Sequence, residues 1–247
     1  MKKFLYVFAI LVGCFLLFGP KSVPDNLQIQ DIMATINNKD IVIVFNSGGW
    51  GYTPFEESED IAPIVENMQQ NLEQWGYSTV IIPYARVKDD FSGRMAAVRN
   101  LLNNFNNSSA DLVSKIEAVS KAFPDKKIII AGLSVGGAFA TKTYQNLSEQ
   151  AKGSVYAIAI GTPFWADNLE KDNIIQIDND GKDSLVSGRI SSLFFSLVKS
   201  PFKWLKANIQ GGGLAFSKAF QAPGHIYYWE SPEVGPKIIG FLSDKLR

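Results

Sequence analysis

Runs of β-branched apolar residues alternate with stretches whose apolar positions recur every three or four residues, and this alternation organises most of the chain beyond residue 40. IVIVF (41–45), STVII (78–82), KIIIA (127–131), VYAIAI (155–160) and NIIQI (173–177) read as strands. A strand with one wet face alternates polar and apolar positions. These runs do not, so they are expected to be buried on both faces, as in a parallel sheet. Between the first two, Ile61, Ile64, Val65, Met68, Leu72 and Trp75 fall at helical spacing, with Gly76 as the stop. Residues 94–122 predict one or two helices around the polar break NNFNNSSAD. Ser108 or Ser109 would cap the second, whose apolar face is Leu112, Val113, Ile116, Val119 and Phe123. A further helix is expected from about 135 to 149. HIYYW (225–229) is expected to form a last strand, followed by a helix opened by Ser231 and Pro232. Strands alternating with helices predict an α/β fold: a mostly parallel central sheet of about six strands, with helices on both faces.

The first 24 residues stand apart. FLYVFAILVGCFLLFG (4–19) carries no charge and follows Lys2 and Lys3, the pattern of an export signal or a membrane anchor. As a helix it spans about 24 Å, short of a hydrocarbon core of roughly 30 Å unless flanking lysines snorkel. The lysines ahead of it favour a cytoplasmic N-terminus and an exported body. Leu11, Val12, Gly13 and Cys14 resemble a bacterial lipobox with Cys14 as the lipidated residue, although FLLF continues the apolar run beyond it. Anchoring, lipidation and cleavage all place the body outside the cytoplasm, and the first two tether it to a membrane. Residues 25–37 read as a tether, or, through Leu27, Ile29, Ile32, Met33 and Ile36, as a short docking helix. Residues 38–247 make up the main domain.

Composition narrows the chemistry. Twenty-four basic residues balance twenty-four acidic ones, so no overall field draws nucleic acid. One cysteine excludes an internal disulfide, and one cysteine with one histidine argues against a zinc site. No cofactor or metal is expected. Gly211, Gly212 and Gly213 lack the spacing of a phosphate loop and read as a loop.

In open parallel sheets functional groups gather at the carboxyl ends of the strands. Those ends carry NSGGWG (46–51), Ser134, GTPFW (161–165), DNDGKD (178–183) and the loop leading to His225. A serine hydroxyl becomes a nucleophile when an imidazole takes its proton, a carboxylate orients the imidazole and N–H donors receive the oxyanion. His225 is the chain's one histidine, and it follows both Ser134 and the acidic turn.

Gly132, Leu133, Ser134, Val135, Gly136 and Gly137, set between a strand and a helix, resemble the nucleophile elbow of the α/β-hydrolase superfamily, in particular its lipases and esterases. The chain order serine, acid, histidine is also that of the superfamily. The resemblance implies Ser134 as nucleophile, His225 as base and an aspartate of the acidic turn as the orienting acid, with Asp183 preferred over Asp180 and Asp178. It also implies an oxyanion hole made by the N–H groups of Val135 and of Gly48, or failing that Gly49. Asn46 and Ser47 depart from the His-Gly pair common at that loop, and Leu133 from the frequent histidine before the nucleophile. Hydrolysis of a small-molecule ester or lipid is the activity implied, with thioester or peptide cleavage open to the same triad. A membrane-tethered binding protein that keeps the fold without activity is the alternative. Trp50, Phe164 and Trp165 are candidates to line an acyl pocket. Within 184–222, Ile190, Leu193, Phe194, Leu197 and Val198 form a helical apolar face, followed by Pro201, Phe202, Trp204 and Leu205 among Lys199, Lys203 and Lys206. This insertion is either a helix packed on the sheet or a lid or membrane-facing cap. Oligomeric state is not legible.

Overall fold

A computed structural model of the chain describes residues 28–247, apart from 50, 52, 88–95, 98, 101–104, 106–107, 167–168, 170 and 211–220, and without the side chains of Leu197 and Pro201. The N-terminal apolar segment with Cys14, Trp50 and the triple glycine lie outside the described residues. Five strands, β1 (Ile41–Asn46), β2 (Thr79–Pro83), β3 (Lys127–Leu133), β4 (Val155–Ile160) and β5 (Ile174–Ile177), form one sheet in the order β2-β1-β3-β4-β5. Every neighbouring pair is parallel.

Alternate residues of each strand enter opposite cores, which is why the strands read as continuous apolar runs. On one face Val42, Val44, Ile128 and Ile130 meet helices α1 (Ile29–Ile36), α3 (Ser109–Ala122) and α4 (Val135–Gln145) through Ile32, Ile36, Leu112, Ile116 and Phe139. On the other face Ile41, Ile43, Phe45 and Ile129 meet α2 (Ala62–Gln74), through Ile64, Met68 and Leu72, and α7 (Gly235–Leu246), through Ile238 and Leu242. The short α5 (Glu149–Lys152) follows α4 as a separate turn, with Ser148 as its cap, so the helix expected to 149 ends at Gln145. α6 (Ile190–Ile209) occupies the insertion.

Several boundaries differ from the sequence reading. HIYYW is not a strand, and among the described residues the sheet has five strands rather than about six. The peptide groups there are engaged elsewhere: His225 N–H donates to Ala222 O at 3.0 Å, and its carbonyl accepts from Gln221 Nε2 at 2.9 Å. The last helix starts at Gly235, because residues 231–234 form a turn in which Val234 N–H donates to Ser231 O. Ser108 stands at the N-cap of α3, but its hydroxyl donates back to Phe105 O and caps nothing.

The sheet reverses its winding between β1 and β3, and such a switch point opens a crevice beyond the strand ends. Gly132 and Gly136 make the crossing there physically possible. A Cβ on Gly132 would lie 2.2 Å from Gly136 O, and one on Gly136 would lie 2.5 Å from both Asn46 O and Ser47 O. Both obstacles are backbone and cannot swing away. Gly132→Ala is expected to destabilise the protein by about 3 kcal/mol or more, read as a lowered midpoint of urea unfolding. Gly240→Ala on α7, where a Cβ meets nothing within 4 Å, should leave the midpoint at or above wild type.

Candidate active site

β3 ends at Leu133 and α4 begins at Val135, so Ser134 alone turns the chain. It does so at φ 57 and ψ −122, a backbone conformation that L-residues adopt only under constraint and at a cost of roughly 1–3 kcal/mol. The constraint is visible: Ser134 N–H donates to Ile160 O at 2.7 Å, and Ala138 N–H reaches back to Ser134 O at 3.1 Å. Val135 opens the helix, so its N–H is among those with no intrahelical acceptor.

Asp183 and His225 are joined through their loops. Asn179, Asp180 and Gly181 all have positive φ and turn the chain after β5. Ser184 N–H donates to Pro223 O at 2.9 Å, its hydroxyl donates to the same oxygen, and Asn179 Nδ2 donates to Gly224 O at 2.8 Å. Gly224 (φ +79) lies so close that a Cβ would sit 2.2 Å from Lys182 O. These ties bring His225 Nδ1 to 2.6 Å from Asp183 Oδ2. Asp183 is fully buried. Its other oxygen accepts from Leu185 N–H at 2.7 Å and Val186 N–H at 3.3 Å, while Tyr227 Oη donates to Oδ2 at 2.6 Å. The two neighbouring aspartates do other work: Asp178 Oδ1 accepts from Asp180 N–H, and Asp180 pairs with Lys237 at 3.2 Å.

Burial alone would raise the Asp183 carboxyl. The hydrogen bond and charge of His225, with the bonds from Tyr227 and Leu185, outweigh it and hold the group below the ordinary aspartate range. Tyr227 is pushed the opposite way, by burial first and then by its bond to Asp183, so it remains a phenol that donates. An ionised Asp183 only accepts, so Nδ1 of His225 carries the hydrogen of their bond.

Gly161 links this pair to the elbow. It directly follows Ile160, the acceptor of Ser134 N–H, and a Cβ on it would lie 2.8 Å from His225 Cε1 and 2.7 Å from Tyr227 Cε2. With φ +59 and two rings against it, the position admits only glycine.

The loop after β1 lies against the elbow, with the Cβ position of Gly48 at 3.5 Å from Leu133 O. Its shape is set by Arg86, a buried residue beyond β2. Arg86 Nη2 donates to the carbonyls of Ser47 (3.1 Å), Gly48 (3.4 Å) and Gly49 (3.0 Å), and Arg86 N–H donates to Gly51 O at 2.7 Å. In a planar trans peptide C=O and N–H point oppositely. Drawing the Ser47 and Gly48 carbonyls toward Arg86 therefore turns the N–H groups of Gly48 and Gly49 away from it. The guanidinium is flanked by the rings of Phe105 (5.8 Å) and Phe139 (5.7 Å), and its Nε and Nη1 have no hydrogen-bond partner among the described residues. Burial lowers its pKa to about 9, which leaves it cationic at neutral pH.

Phe164 and Trp165 pack edge to face at 5.1 Å, each a little over one-third exposed, and Phe164 N–H donates to Leu185 O in the loop of Asp183. They stand at the rim on the acid side. Asp60 stands on the other side, with Oδ2 3.8 Å from the Cβ position of Gly48. It is open to solvent on one side and enclosed by protein on the other. The enclosure raises its carboxyl, while its own and Ile61's backbone N–H groups and the nearby charge of His225 act in the opposite direction. Sequence reasoning missed Arg86, Tyr227 and Asp60. Tyr227 had a signal, since i and i+2 share a side in extended chain. Arg86 had a weaker one, a cation just past a strand end. Asp60 had none within EESED. Among the described residues no cluster of His, Cys, Asp and Glu is arranged to hold a metal ion.

No protein-family model matches the chain, and no curated protein does. Among solved structures it is similar to a Trichoderma reesei cutinase in complex with a C11Y4 phosphonate inhibitor, at TM-score 0.53 and 15% identity over 98% of this chain and 88% of that one. A cutinase-like protein from Cryptococcus sp. aligns at TM-score 0.45 and 19% identity over 84% of this chain and 95% of that one. The first likeness shows the fold: an α/β-hydrolase fold of the cutinase type, with a parallel five-stranded sheet.

Two measurements probe the site's electrostatics. The lowered pKa of Asp183 contributes stability that is complete above the ordinary aspartate value of about 3.9 and is lost as pH falls through the lower folded value. Thermal unfolding from about pH 5 to pH 2 should therefore show a smaller acid loss in Asp183→Asn than in wild type. Arg86→Met removes the donor shared by three carbonyls but also an incompletely paired buried charge. Its melting temperature is expected to change little, while any turnover at the crevice falls roughly tenfold or more.

Proposed function

We propose that this protein is a serine hydrolase that cleaves carboxylic esters through an acyl-enzyme, with Ser134 as nucleophile, His225 as general base and acid, and Asp183 as the residue that orients it. The observation that carries this reading is the joining of a strained serine turn to the buried Asp183–His225 pair through Ile160 and Gly161. The shared fold with a cutinase, a class of carboxylesterase, supports the ester as substrate.

Nε2 of His225 takes the proton of Ser134 as Oγ attacks the acyl carbon, and the imidazolium that forms faces the ionised Asp183. The carbonyl oxygen becomes an oxyanion received by the N–H groups of Val135 and Gly48. Collapse breaks the bond to the alcohol oxygen, which leaves with the proton from His225. Water, deprotonated by the same imidazole, then attacks the acyl-enzyme and releases the carboxylic acid and the free serine. Arg86, behind the oxyanion loop, keeps its N–H groups aimed and adds a fixed positive charge on that side. Phe164 and Trp165 at the rim favour an apolar acyl group. The proposal places the body outside the cytoplasm, tethered by residues 1–24. The uncharged run after Lys2 and Lys3 supports this location.

A fluorophosphonate probe tests the reading directly, since the cutinase of like fold was solved with a phosphonate inhibitor. Full-length protein is expected to label, Ser134→Ala to remain unlabelled, and Asp183→Asn to hydrolyse p-nitrophenyl esters roughly three to four orders of magnitude more slowly. Well-folded protein that neither labels nor turns over esters would instead be a binding protein with a hydrolase fold.

A further inference from the structure

Helix α6 has two apolar sides, and the described residues cover only one of them. Ser200 is buried toward the body, Leu193 and Trp204 are half-buried, and Ser196 Oγ donates to Gln221 O at 3.5 Å. Phe195 (61% exposed), Val198 (47%), Phe202 (73%), Leu205 (51%) and Ile209 (76%) face solvent. Their spacing of three, four, three and four residues confines them to about 80° of the circumference and stretches them along roughly 21 Å. A contiguous apolar stripe of this kind marks an interaction surface rather than ordinary scatter.

Charge identifies the partner. Lys199, Lys203 and Lys206 follow one another at helical spacing along one edge of the stripe, and none is held in an ion pair with a described carboxylate. From Ser184 to Trp229 the sequence contains no Asp or Glu, against Arg189, Lys199, Lys203, Lys206 and Lys218. Between the lysines and the body runs a groove of about 340 Å³, lined by Ser192, Ser196, Ser200, Lys199, Lys203 and Phe195 among others. It offers ammonium groups and hydroxyls beside exposed phenyl rings, the combination that a phosphate headgroup with its acyl chains would meet. Protein interfaces are depleted in lysine. A basic edge along a Phe/Leu/Ile face is instead the make-up of a helix lying in the plane of a membrane surface. Three lysines inside α6 exclude a spanning orientation, and no described helix is long and apolar enough to cross a membrane.

We propose that the outer face of α6 docks on an anionic lipid bilayer, with Phe195, Val198, Phe202, Leu205 and Ile209 at the acyl boundary and Lys199, Lys203 and Lys206 against the phosphates. This goes beyond the hydrolase reading and does not depend on it. Because α6 begins just after the loop of Asp183 and its chain returns at Gln221 beside His225, docking turns the mouth of the crevice toward the lipid.

The N-terminal segment would hold the chain on vesicles by itself, so the test must report the depth of α6 rather than binding. Full-length protein carrying Cys14→Ser is labelled with bimane at Phe202→Cys, at Ile209→Cys, or at Lys121→Cys on α3. It is then mixed with vesicles of equal parts phosphatidylcholine and phosphatidylglycerol bearing brominated acyl chains. Bimane at 202 and 209 is expected to be quenched, and bimane at 121 is not. In Lys199→Gln/Lys203→Gln/Lys206→Gln, the ratio of quenched to unquenched label at position 202 on vesicle-bound protein should fall roughly fivefold for each lysine replaced, and a comparable fall is expected for the unsubstituted lysines on phosphatidylcholine alone. The proposal is overturned if vesicle-bound protein shows no quenching at 202 or 209. It is equally overturned if bimane there is already blue-shifted without lipid, which would mean a second copy or the chain's own N-terminal segment covers the stripe, or if quenching ignores both headgroup charge and the lysines.

Discussion

Two backbones meet at the crossing of α4 over the end of β3, and the rest of the crevice is arranged around that approach. Gly132 and Gly136 leave no room for a Cβ between the strand, the helix and the carbonyls of Asn46 and Ser47. With the gap closed, the chain has one residue in which to reverse direction, and Ser134 takes up a backbone conformation it would not adopt alone. The same closeness seats the loop after β1 against the elbow, so the candidate oxyanion donors and the candidate nucleophile share one rigid junction. Their relative placement therefore rests on the buried sheet and does not need a mobile loop to be ordered.

Around that junction charges are placed one behind another. Asp183 holds a negative charge inside protein because four donors face its two oxygens: His225 and Tyr227 on one, Leu185 and Val186 N–H on the other. A carboxylate so fully engaged is held in one orientation and has little capacity to accept a further proton. Across the crevice Arg86 is the counterpart, a buried cation whose partners are carbonyl dipoles and ring faces. Asp183 fixes an anion against the imidazole and Arg86 a cation behind the loop after β1, the polarity that an oxyanion forming at Gly48 and Val135 would require.

What could be read from the sequence followed from how local each feature is. β1, β3 and β4 announce themselves as Ile/Val runs because both of their faces are buried, and α2 by its periodic apolar face ending at Gly76. Ser134, the acidic turn and His225 entered one shortlist because strand ends converge. Which aspartate faces His225 depended on contacts between Ser184 and Pro223 and between Asn179 and Gly224, about forty residues apart, which no spacing rule supplies. HIYYW misled because its alternation serves a side-chain purpose: His225 and Tyr227 share a side in order to reach one carboxylate, while the backbone pairs with no strand. Arg86 was hidden because its partners are carbonyl oxygens, which have no sequence signature.

The acid-free stretch has a further consequence for the molecule as a whole. The chain is neutral, so with five basic residues gathered between Ser184 and Trp229, the remainder keeps nineteen basic residues against twenty-four acidic ones. Neutrality here is the sum, along the sequence, of a positive stretch and a negative remainder. Near any negatively charged surface such a body experiences little net pull at long range but a turning force at short range. On the docking proposed for α6, that force would turn Lys199, Lys203 and Lys206 toward the surface before contact is made.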